Sequence, residues 1–300
     1  MRVLIATDGS PEATTAARTA GRLLGKEENE FLILCVAPEF SGGKVDETSN
    51  HVRSTYEQRM IRETESILNR TQQTLAAQGI SAGTAARFGS PAKTILELSA
   101  DFDVTVVGAT GKRDISTVGI GPIASRVLEH GSGMILVARD LAGENTWRVL
   151  LAMDGSRSSM QALRAMINYF NASSLDVTCM HVVETPWVNF GSDEELFDVT
   201  ADGVFDEIDP ELHFKQQMER EADSILEHAE KELGDYVLGR NRVIREGNPG
   251  TVILGEAEVG DYDLIVLGST GMSGLKHQML GSVSAKIAAQ APCSVAVVKS

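Results

Sequence analysis

A glycine-rich segment near the end of the chain has the spacing of a phosphate-binding loop. The segment GSTGMSGLKHQMLGS follows an apolar run, DLIVLG, and leads into a stretch of helical period, SVSAKIAAQ. Its skeleton is Gly268, two residues, Gly271, nine residues, and then Gly281 and Ser282. Glycines at a strand end let backbone N–H groups approach a ligand, and a helix beginning at Ser282 would direct its positive end at an anion. The spacing predicts phosphate binding, and the alternative is that these glycines only form turns.

The first half of the chain carries the same skeleton with one change. The glycines there are Gly108, Gly111 and Gly121. They are followed by Pro122 where the other copy has its hydroxyl residue. Proline suits the first turn of a helix but has neither an N–H donor nor a hydroxyl. Because a hydrogen bond to a charged ligand contributes about 1.5–3 kcal/mol, this copy is predicted to bind about tenfold or more weakly, or to be empty. The nearby charges of Lys112 and Arg113 would compensate in part.

The chain repeats itself along its whole length. ATDGS at Ala6–Ser10 reappears as AMDGS at Ala152–Ser156, and DFDVTVVGATG reappears as DYDLIVLGSTG. Within each copy, short β-branched runs alternate with longer segments of helical period, the pattern of a parallel sheet covered on both faces. We therefore expect two doubly wound, Rossmann-like α/β domains in tandem, at residues 1–140 and 147–300, each with a five-stranded parallel sheet.

Apolar stripes predict one long helix in each copy. The second copy is longer than the first because it contains a stretch of added residues. The stripe of the second copy consists of Phe214, Met218, Ala222, Ile225, Leu226, Ala229 and Leu233. Its counterpart in the first copy consists of Met60, Thr64, Ile67, Leu68, Thr71 and Leu75. Such stripes indicate core packing. The added residues of the second copy fall in an acidic run after Glu184, which is interpreted as a solvated loop.

Composition argues against nucleic acid and membranes as partners. The chain has 42 Asp and Glu against 27 Lys and Arg, and the net charge of -15 repels phosphate backbones and anionic lipid. Neither a leader nor an apolar segment of the roughly 18–20 residues that a membrane span needs is visible, so a cytoplasmic location is expected. The cysteines lie in apolar runs without the spacing of a metal site or disulfide framework, and buried positions are expected for Cys35, Cys179 and Cys293.

Taken together, these motifs resemble the universal stress protein family over nearly the whole chain. The resemblance covers the glycine skeleton and, in both copies, a strand ending in Asp, a second strand ending in Val and a Gly-x-Pro turn. The residues are Asp8 and Asp154, Val36 and Val182, and Gly89 and Gly247. What the resemblance implies is an adenine nucleotide, ATP, as ligand, with Mg2+ or Mn2+ held mainly through the phosphates and no metal ligand among the protein side chains.

The same resemblance assigns roles to residues of the second copy. Met153 and Asp154 would line the adenosine, and the main chain at Val182 would border the adenine. The triphosphate would be surrounded by Gly268, Gly271, Gly281, Ser282 and Val283. The corresponding first-copy residues, which form the weaker site, are Thr7, Asp8, Val36, Gly108, Gly111 and Gly121.

Three positions keep a second interpretation. Asp154 could instead take part in capping the helix that follows it. Lys276 and His277 lie within the nine-residue span, and they either contact phosphate or are exposed loop charges.

The resemblance also implies how the halves meet and what the protein does. The last strands of the two copies, near Ile135 and Val297, would pair and form an intramolecular pseudo-dimer, and further self-association to a homodimer is left open. The implied function is a stress-response protein whose ATP occupancy alters its contacts with an unidentified protein partner. No catalytic residue can be assigned, so any ATP hydrolysis is expected to be slow.

Two other classes of function stay open. An ATP-cleaving transferase or ligase is suggested weakly by SGGKVDE at Ser41, although this loop follows the second strand and not the first. No Gly-x-x-x-x-Gly-Lys-Ser/Thr segment is present. A protein-interaction member of the family that binds no nucleotide is the third class. His181 lies within an apolar run and is interpreted as a core residue.

Overall fold

The two halves of the chain fold into alternating strands and helices. The computed structural model describes residues 1–39, 47–111, 119–141, 146–184, 210–271 and 280–299. The strands of the first half are β1 (Arg2–Thr7), β2 (Glu30–Ala37), β3 (Ala82–Phe88), β4 (Val104–Gly108) and β5 (Met134–Ala138). Those of the second half are β6 (Trp147–Ala152), β7 (Leu175–Val183), β8 (Gly239–Glu246), β9 (Leu264–Gly268) and β10 (Ser294–Val298).

Eight helices connect these strands in the described part of the chain. They are α1 (Pro11–Leu24), α2 (Glu47–Ala76), α3 (Pro91–Ser99), α4 (Pro122–His130), α5 (Arg157–Tyr169), α6 (Pro210–Leu233), α7 (Pro249–Val259) and α8 (Ser282–Gln290). None of these helices is both long and apolar enough to cross a membrane. The buried faces of α1, α2, α5 and α6 pack on one side of the sheet. Those of α3, α4, α7 and α8 pack on the other, so the predicted doubly wound α/β class is confirmed.

Most residues of the predicted helical stripes face the core, whereas Met60, Met218 and Ile225 are half-buried. On α6, Ala222, Leu226, Ala229 and Leu233 are fully buried. On α2, the stripe residues from Thr64 to Leu75 are buried as well. A helix with one apolar stripe is stable only when that stripe is covered, and here the sheet covers it. Phe214 lies outside the residues whose side chains are described.

All ten strands form one sheet, in the order β3-β2-β1-β4-β5-β10-β9-β6-β7-β8. Within each half the strands are parallel, whereas β5 and β10 pair antiparallel, with Val137 opposite Val295 and Met134 opposite Val298. These are the two strands through which the resemblance predicts the halves to meet. Because the direction reverses at this junction, the carboxyl ends of the two half-sheets point to opposite edges.

The three cysteines are buried. Burial raises the pKa of Cys179 to about 12 and that of Cys293 to about 11. Since the thiolate is the reactive form, neither thiol is a nucleophile at neutral pH. Among the described residues, no group of three or more His, Cys, Asp or Glu is placed to hold a metal ion.

One buried hydroxyl in the first half lacks a hydrogen-bond partner. Thr105 on β4 is fully buried, its Oγ1 is unpaired, and Ile265 takes the equivalent place on β9. Thr105→Val is expected to raise the free energy of unfolding by about 1 kcal/mol, because it removes an unsatisfied polar atom and keeps the shape. Urea denaturation measures the change.

The matched control for that substitution is Thr71→Val on α2. The Thr71 hydroxyl is also buried, but it donates to the carbonyl of Ile67 at 3.0 Å. Losing a satisfied hydrogen bond should lower the free energy of unfolding by about 1 kcal/mol. A destabilising Thr105→Val would contradict the unsatisfied state of that hydroxyl.

Candidate functional site

The candidate site is a cavity of about 710 Å³ at the carboxyl end of β6 and β9. The strand order reverses between these two strands, and doubly wound sheets bind ligands in the crevice at this point. Its volume lies within the range of about 300–1,000 Å³ that small-molecule sites occupy. The sequence-predicted residues that line it are Met153, Asp154, Val182, Gly268, Gly271, Gly281, Ser282 and Val283. The two remaining predicted residues, Lys276 and His277, lie outside the described part of the chain.

The turn after β6 positions Asp154 at the cavity. Gly155 has φ 79°, a left-handed conformation that glycine adopts without strain. Ser156 is the N-cap of α5, and its Oγ accepts a hydrogen bond from the N–H of Ser159 at 3.1 Å. Asp154 Oδ1 accepts from the N–H of Ser156 at 2.9 Å. Asp154 therefore orders the turn without being the cap, and it also lines the cavity.

Close packing explains part of the glycine skeleton. A β-carbon built at Gly268 would lie 2.7 Å from the backbone carbonyl carbon of Ser158, at the start of α5. One built at Gly271 would lie 3.0 Å from Asp154 Oδ2. Gly268 is thus required by the contact between β9 and α5, and Gly271 brings the loop backbone against the Asp154 carboxylate.

Helix α8 begins at Ser282, as the sequence predicts, and its first turn faces the cavity. Gly281 is its N-cap, with φ -67° and ψ 152°, and has no side chain to pair with the first N–H groups. The N–H groups of the first turn have no acceptor within an α-helix. Ser284 Oγ donates to the carbonyl of Gly268 at 2.8 Å and so ties the start of α8 to the end of β9.

The cavity wall away from α8, formed by β6, β7 and α6, is mostly apolar. Met153, Met180, Val182, Met218 and Ile225 belong to it, whereas Ile253 on α7 and Leu267 on β9 line other parts of the cavity. His181 is 8% exposed, and its Nδ1 lies 2.8 Å from the carbonyl oxygen of Met153. Because a carbonyl only accepts, Nδ1 donates the proton in this hydrogen bond. His181 is buried, as predicted, and also lines the cavity.

Charge is distributed unevenly around the cavity. Two acidic lining residues belong to the wall away from α8: Glu184, which follows β7, and Glu221, on α6. Of the described lining residues that belong to β9, α8 and the loop between them, none is charged. The start of α8 and the described part of the loop before it therefore offer neutral donors, an arrangement that suits an anion, and the acidic group beside them is Asp154, next to Gly271.

Several lining residues were not predicted from the sequence. Ser159, Ser284 and Glu221 line the cavity, and Ser158 Oγ accepts from the N–H of Thr270 at 3.4 Å. Comparing the two copies could have singled out the serines, because Glu12, Ala13 and Ala124 occupy the equivalent positions. Glu221 carries no comparable signal, since acidic residues are common on the exposed face of a long helix.

The first half has a much smaller cavity at the equivalent place. Its volume is about 90 Å³, well below the range for small-molecule sites. All six sequence-predicted residues line it: Thr7, Asp8, Val36, Gly108, Gly111 and Gly121. Gly121 caps α4 with φ -70° and ψ 163°, nearly the geometry of Gly281, and Pro122 is the first residue of the helix. Lys112 and Arg113, and residues 41–46 of the SGGKVDE segment, lie outside the described residues.

The fold and the cavity define the class: a tandem doubly wound α/β protein with a ligand-sized cavity at the switch point of its second half. The chain belongs to the universal stress protein family, whose model matches residues 1–139 and 146–299. The predicted family is thereby confirmed.

Individual relatives agree with this assignment. The chain is 31% identical over 152 residues to universal stress protein YxiE of Bacillus subtilis, a match that covers 51% of this chain and 98% of that protein. It is 27% identical over 224 residues to a universal stress protein of Mycolicibacterium smegmatis, covering 74% of this chain and 70% of that protein. A universal stress protein from Archaeoglobus fulgidus has the same fold, with a TM-score of 0.62 at 19% identity over 99% of this chain and 96% of that chain.

Proposed function

We propose that this universal stress protein binds ATP in the cavity of its second half, and that occupancy of the cavity alters its contacts with a protein partner. One observation carries the proposal: the uncapped first turn of α8 faces a cavity of about 710 Å³ whose wall away from α8 is mostly apolar. Helix N–H groups bind phosphate, and apolar walls bind a planar base. A ligand with one polyanionic end and one apolar end fits this division.

Each end of the cavity has residues suited to one part of ATP. The N–H groups of Ser282 and Val283 and the Ser282 hydroxyl would hold phosphate oxygens. Asp154, between the two ends, would accept hydrogen bonds from ribose hydroxyls. Met153 and Val182 would border the adenine, and the acceptors on that side, Glu184 and Glu221, suit an amino group.

A divalent cation would be held through the phosphates of the nucleotide. Mg2+ is commonly bound through one or two carboxylates together with substrate phosphates. Here the described lining residues of β9, α8 and the loop between them include no carboxylate, and Asp154, which follows β6, is the acidic residue beside Gly271. The bound cation would neutralise part of the negative charge of the triphosphate.

Slow or no turnover is part of the proposal. Hydrolysis of ATP needs a group that orients the attacking water and charge that stabilises the transferred phosphoryl group. The described lining residues of β9, α8 and the loop between them are glycine, serine, threonine and aliphatic residues, which have no general base among them. The protein is therefore proposed as a binding protein and not an enzyme, acting in the cytoplasm.

The proposal predicts one nucleotide per chain. Denaturing the freshly purified protein should release ATP or ADP, and calorimetric titration with Mg-ATP should give a stoichiometry near one, because the first cavity holds only about 90 Å³. Two equal sites per chain would contradict the assignment of the first half. Release of no nucleotide together with no titratable binding would favour the interaction class, and hydrolysis that rises with a co-substrate would favour the ligase class.

A further inference from the structure

Helix α8 is held at its end by an arginine from the other half of the chain. Arg139 follows β5 in the first half, and its guanidinium donates to the carbonyl of Ala288, near the end of α8, at 3.0 Å. A second N–H of the same group donates to the carbonyl of Cys293 at 3.0 Å. The last carbonyls of a helix have no partner within it, so Arg139 satisfies an otherwise unpaired acceptor across the junction between the halves.

The position of Arg139 is itself held from both halves. Its backbone N–H donates to Ser294 Oγ at 2.9 Å, across the junction. Its carbonyl accepts from Thr19 Oγ1 on α1 at 2.8 Å, within its own half. Burial lowers the pKa of Arg139, but an arginine stays protonated at neutral pH, so a positive charge faces the negative end of the α8 dipole.

The pseudo-twofold relation of the halves repeats this arrangement with a different residue. Lys299 follows β10 as Arg139 follows β5, and its Nζ donates to the carbonyl of Glu129, near the end of α4, at 3.2 Å. Each half therefore places a cation at the end of the last helix of the other half. Among the described residues, the Lys299 side chain makes this one hydrogen bond, whereas the planar guanidinium of Arg139 makes two.

The start of α8 is the proposed phosphate end of the cavity. The same short helix is therefore held by Arg139 at its end and faces the proposed ligand at its start. Nine residues span about 13 Å, and a helix of this length moves as a rigid element. The first half also approaches α8 through the end of its own glycine-rich loop, where a β-carbon built at Gly119 would lie 3.4 Å from the carbonyl oxygen of Ala289.

We propose that Arg139 is a positioning residue for the phosphate end of the second-half site, which makes ATP affinity there depend on the junction between the halves. The inference rests on the proposed ATP site. Arg139 fixes the end of α8, and α8 in turn fixes where its first N–H groups stand relative to Gly268 and Asp154. Because linkage is reciprocal, phosphate bound at the start of α8 strengthens the hold of the junction on its end.

The test compares two ligands in the full-length protein. Arg139→Met should weaken ATP binding by about five- to tenfold, the size expected for charge-assisted contacts at a helix end, and leave adenosine affinity within about twofold of wild type. Arg139→Lys should restore most of the ATP affinity, because a lysine makes the equivalent contact at Lys299. Equal losses for ATP and adenosine, or no loss for either, would overturn the inference.

Lys299→Met is the matched control. It removes the pseudo-twofold-related cation at the same junction, but this cation contacts α4. ATP and adenosine affinities of the second half should therefore both stay near those of wild type. If Lys299→Met lowers ATP affinity as much as Arg139→Met, a general weakening of the junction explains both and the specific role of Arg139 is wrong.

A measurement without nucleotide separates this inference from the proposed function. Hydrogen exchange of the nucleotide-free protein should be about fivefold faster across residues 282–290 in Arg139→Met, and unchanged there in Lys299→Met. Unchanged exchange in Arg139→Met would overturn the inference whatever the protein binds. Faster exchange in a protein whose wild type binds no ATP would support the hold of Arg139 on α8 and overturn the proposed function.

Discussion

Ser282→Pro is expected to lower the affinity of the second half for ATP by about a hundredfold or more while the fold stays intact. The substitution removes one N–H and one hydroxyl from the turn that would contact phosphate. Each hydrogen bond to a charged ligand contributes about 1.5–3 kcal/mol, so the loss of two exceeds about 3 kcal/mol. Calorimetric titration with Mg-ATP measures the affinity, and the thermal transition of the nucleotide-free protein reports on the fold.

The first half shows why proline should be tolerated at this position. Pro122 begins α4 after Gly121, and Gly281 already has nearly the same extended backbone as Gly121 before Ser282. A residue that precedes proline favours this extended region, and proline is favoured at the first position of a helix. Ser282→Pro therefore removes the N–H and hydroxyl donors without requiring a change of backbone conformation.

Two controls separate the contributions to that loss. Ser282→Ala keeps the N–H and removes only the hydroxyl, so about a tenfold loss is expected. Pro122→Ser restores both groups in the first half but leaves a cavity of about 90 Å³ there, and no second nucleotide should bind. Unchanged ATP affinity in Ser282→Pro would show that the start of α8 does not contact the ligand.

The same variant distinguishes the three classes of function. A protein whose interactions do not depend on nucleotide should keep its partner in Ser282→Pro. A protein regulated by occupancy should lose the difference between its ATP-bound and free states. An ATP-cleaving enzyme should lose its activity together with its binding.

The fold could be predicted from the sequence because the same local signals occur twice. β-branched runs and the stripes on α2 and α6 have the periods of strands and helices, and each stripe residue between Thr64 and Leu75 is buried as expected. The start of α8 could be predicted because Gly281 ends a glycine-rich loop and helical residues follow it. Repetition at matching intervals turns weak local signals into a strong one.

The contacts that shape the site could not be predicted in the same way. The hydrogen bonds of Arg139 to Ala288 and Cys293 join residues about 150 positions apart in sequence, and nothing in the segment around Arg139 marks a partner. The unequal volumes of the two cavities are also a result of packing, since both copies carry the glycine skeleton. These hydrogen bonds and cavity volumes depend on which residues, distant in sequence, pack together in the fold.

Gly268 is a position where sequence and structure suggest different reasons for one residue. The spacing of the loop suggests that Gly268 lets the backbone approach a ligand. In the structure, however, Ser158 at the start of α5 occupies the space that a β-carbon of residue 268 would need. Gly268→Ala is expected to lower the free energy of unfolding by about 1–3 kcal/mol or more, because the neighbouring atoms at Ser158 include backbone that cannot move aside easily. Denaturation with guanidinium measures the change.

Two other glycines serve as controls for this substitution. A β-carbon at Gly255, on the exposed side of α7, would have no neighbour within 4 Å, so Gly255→Ala should raise the free energy of unfolding by about 0.5–1 kcal/mol through helix propensity. At Gly108, the position in the first half equivalent to Gly268, a β-carbon would lie 3.2 Å from backbone atoms of Glu12. Gly108→Ala should therefore cost less than Gly268→Ala.

The ATP affinity of Gly268→Ala then decides between the two reasons for this glycine. If packing is the reason, the protein loses stability, and ATP binding weakens only as far as the displaced α5 disturbs Asp154. If ligand approach is the reason, ATP binding is lost while the free energy of unfolding stays near that of wild type. The second outcome would show that α5 yields at Ser158, and that the close contact seen there does not determine the residue.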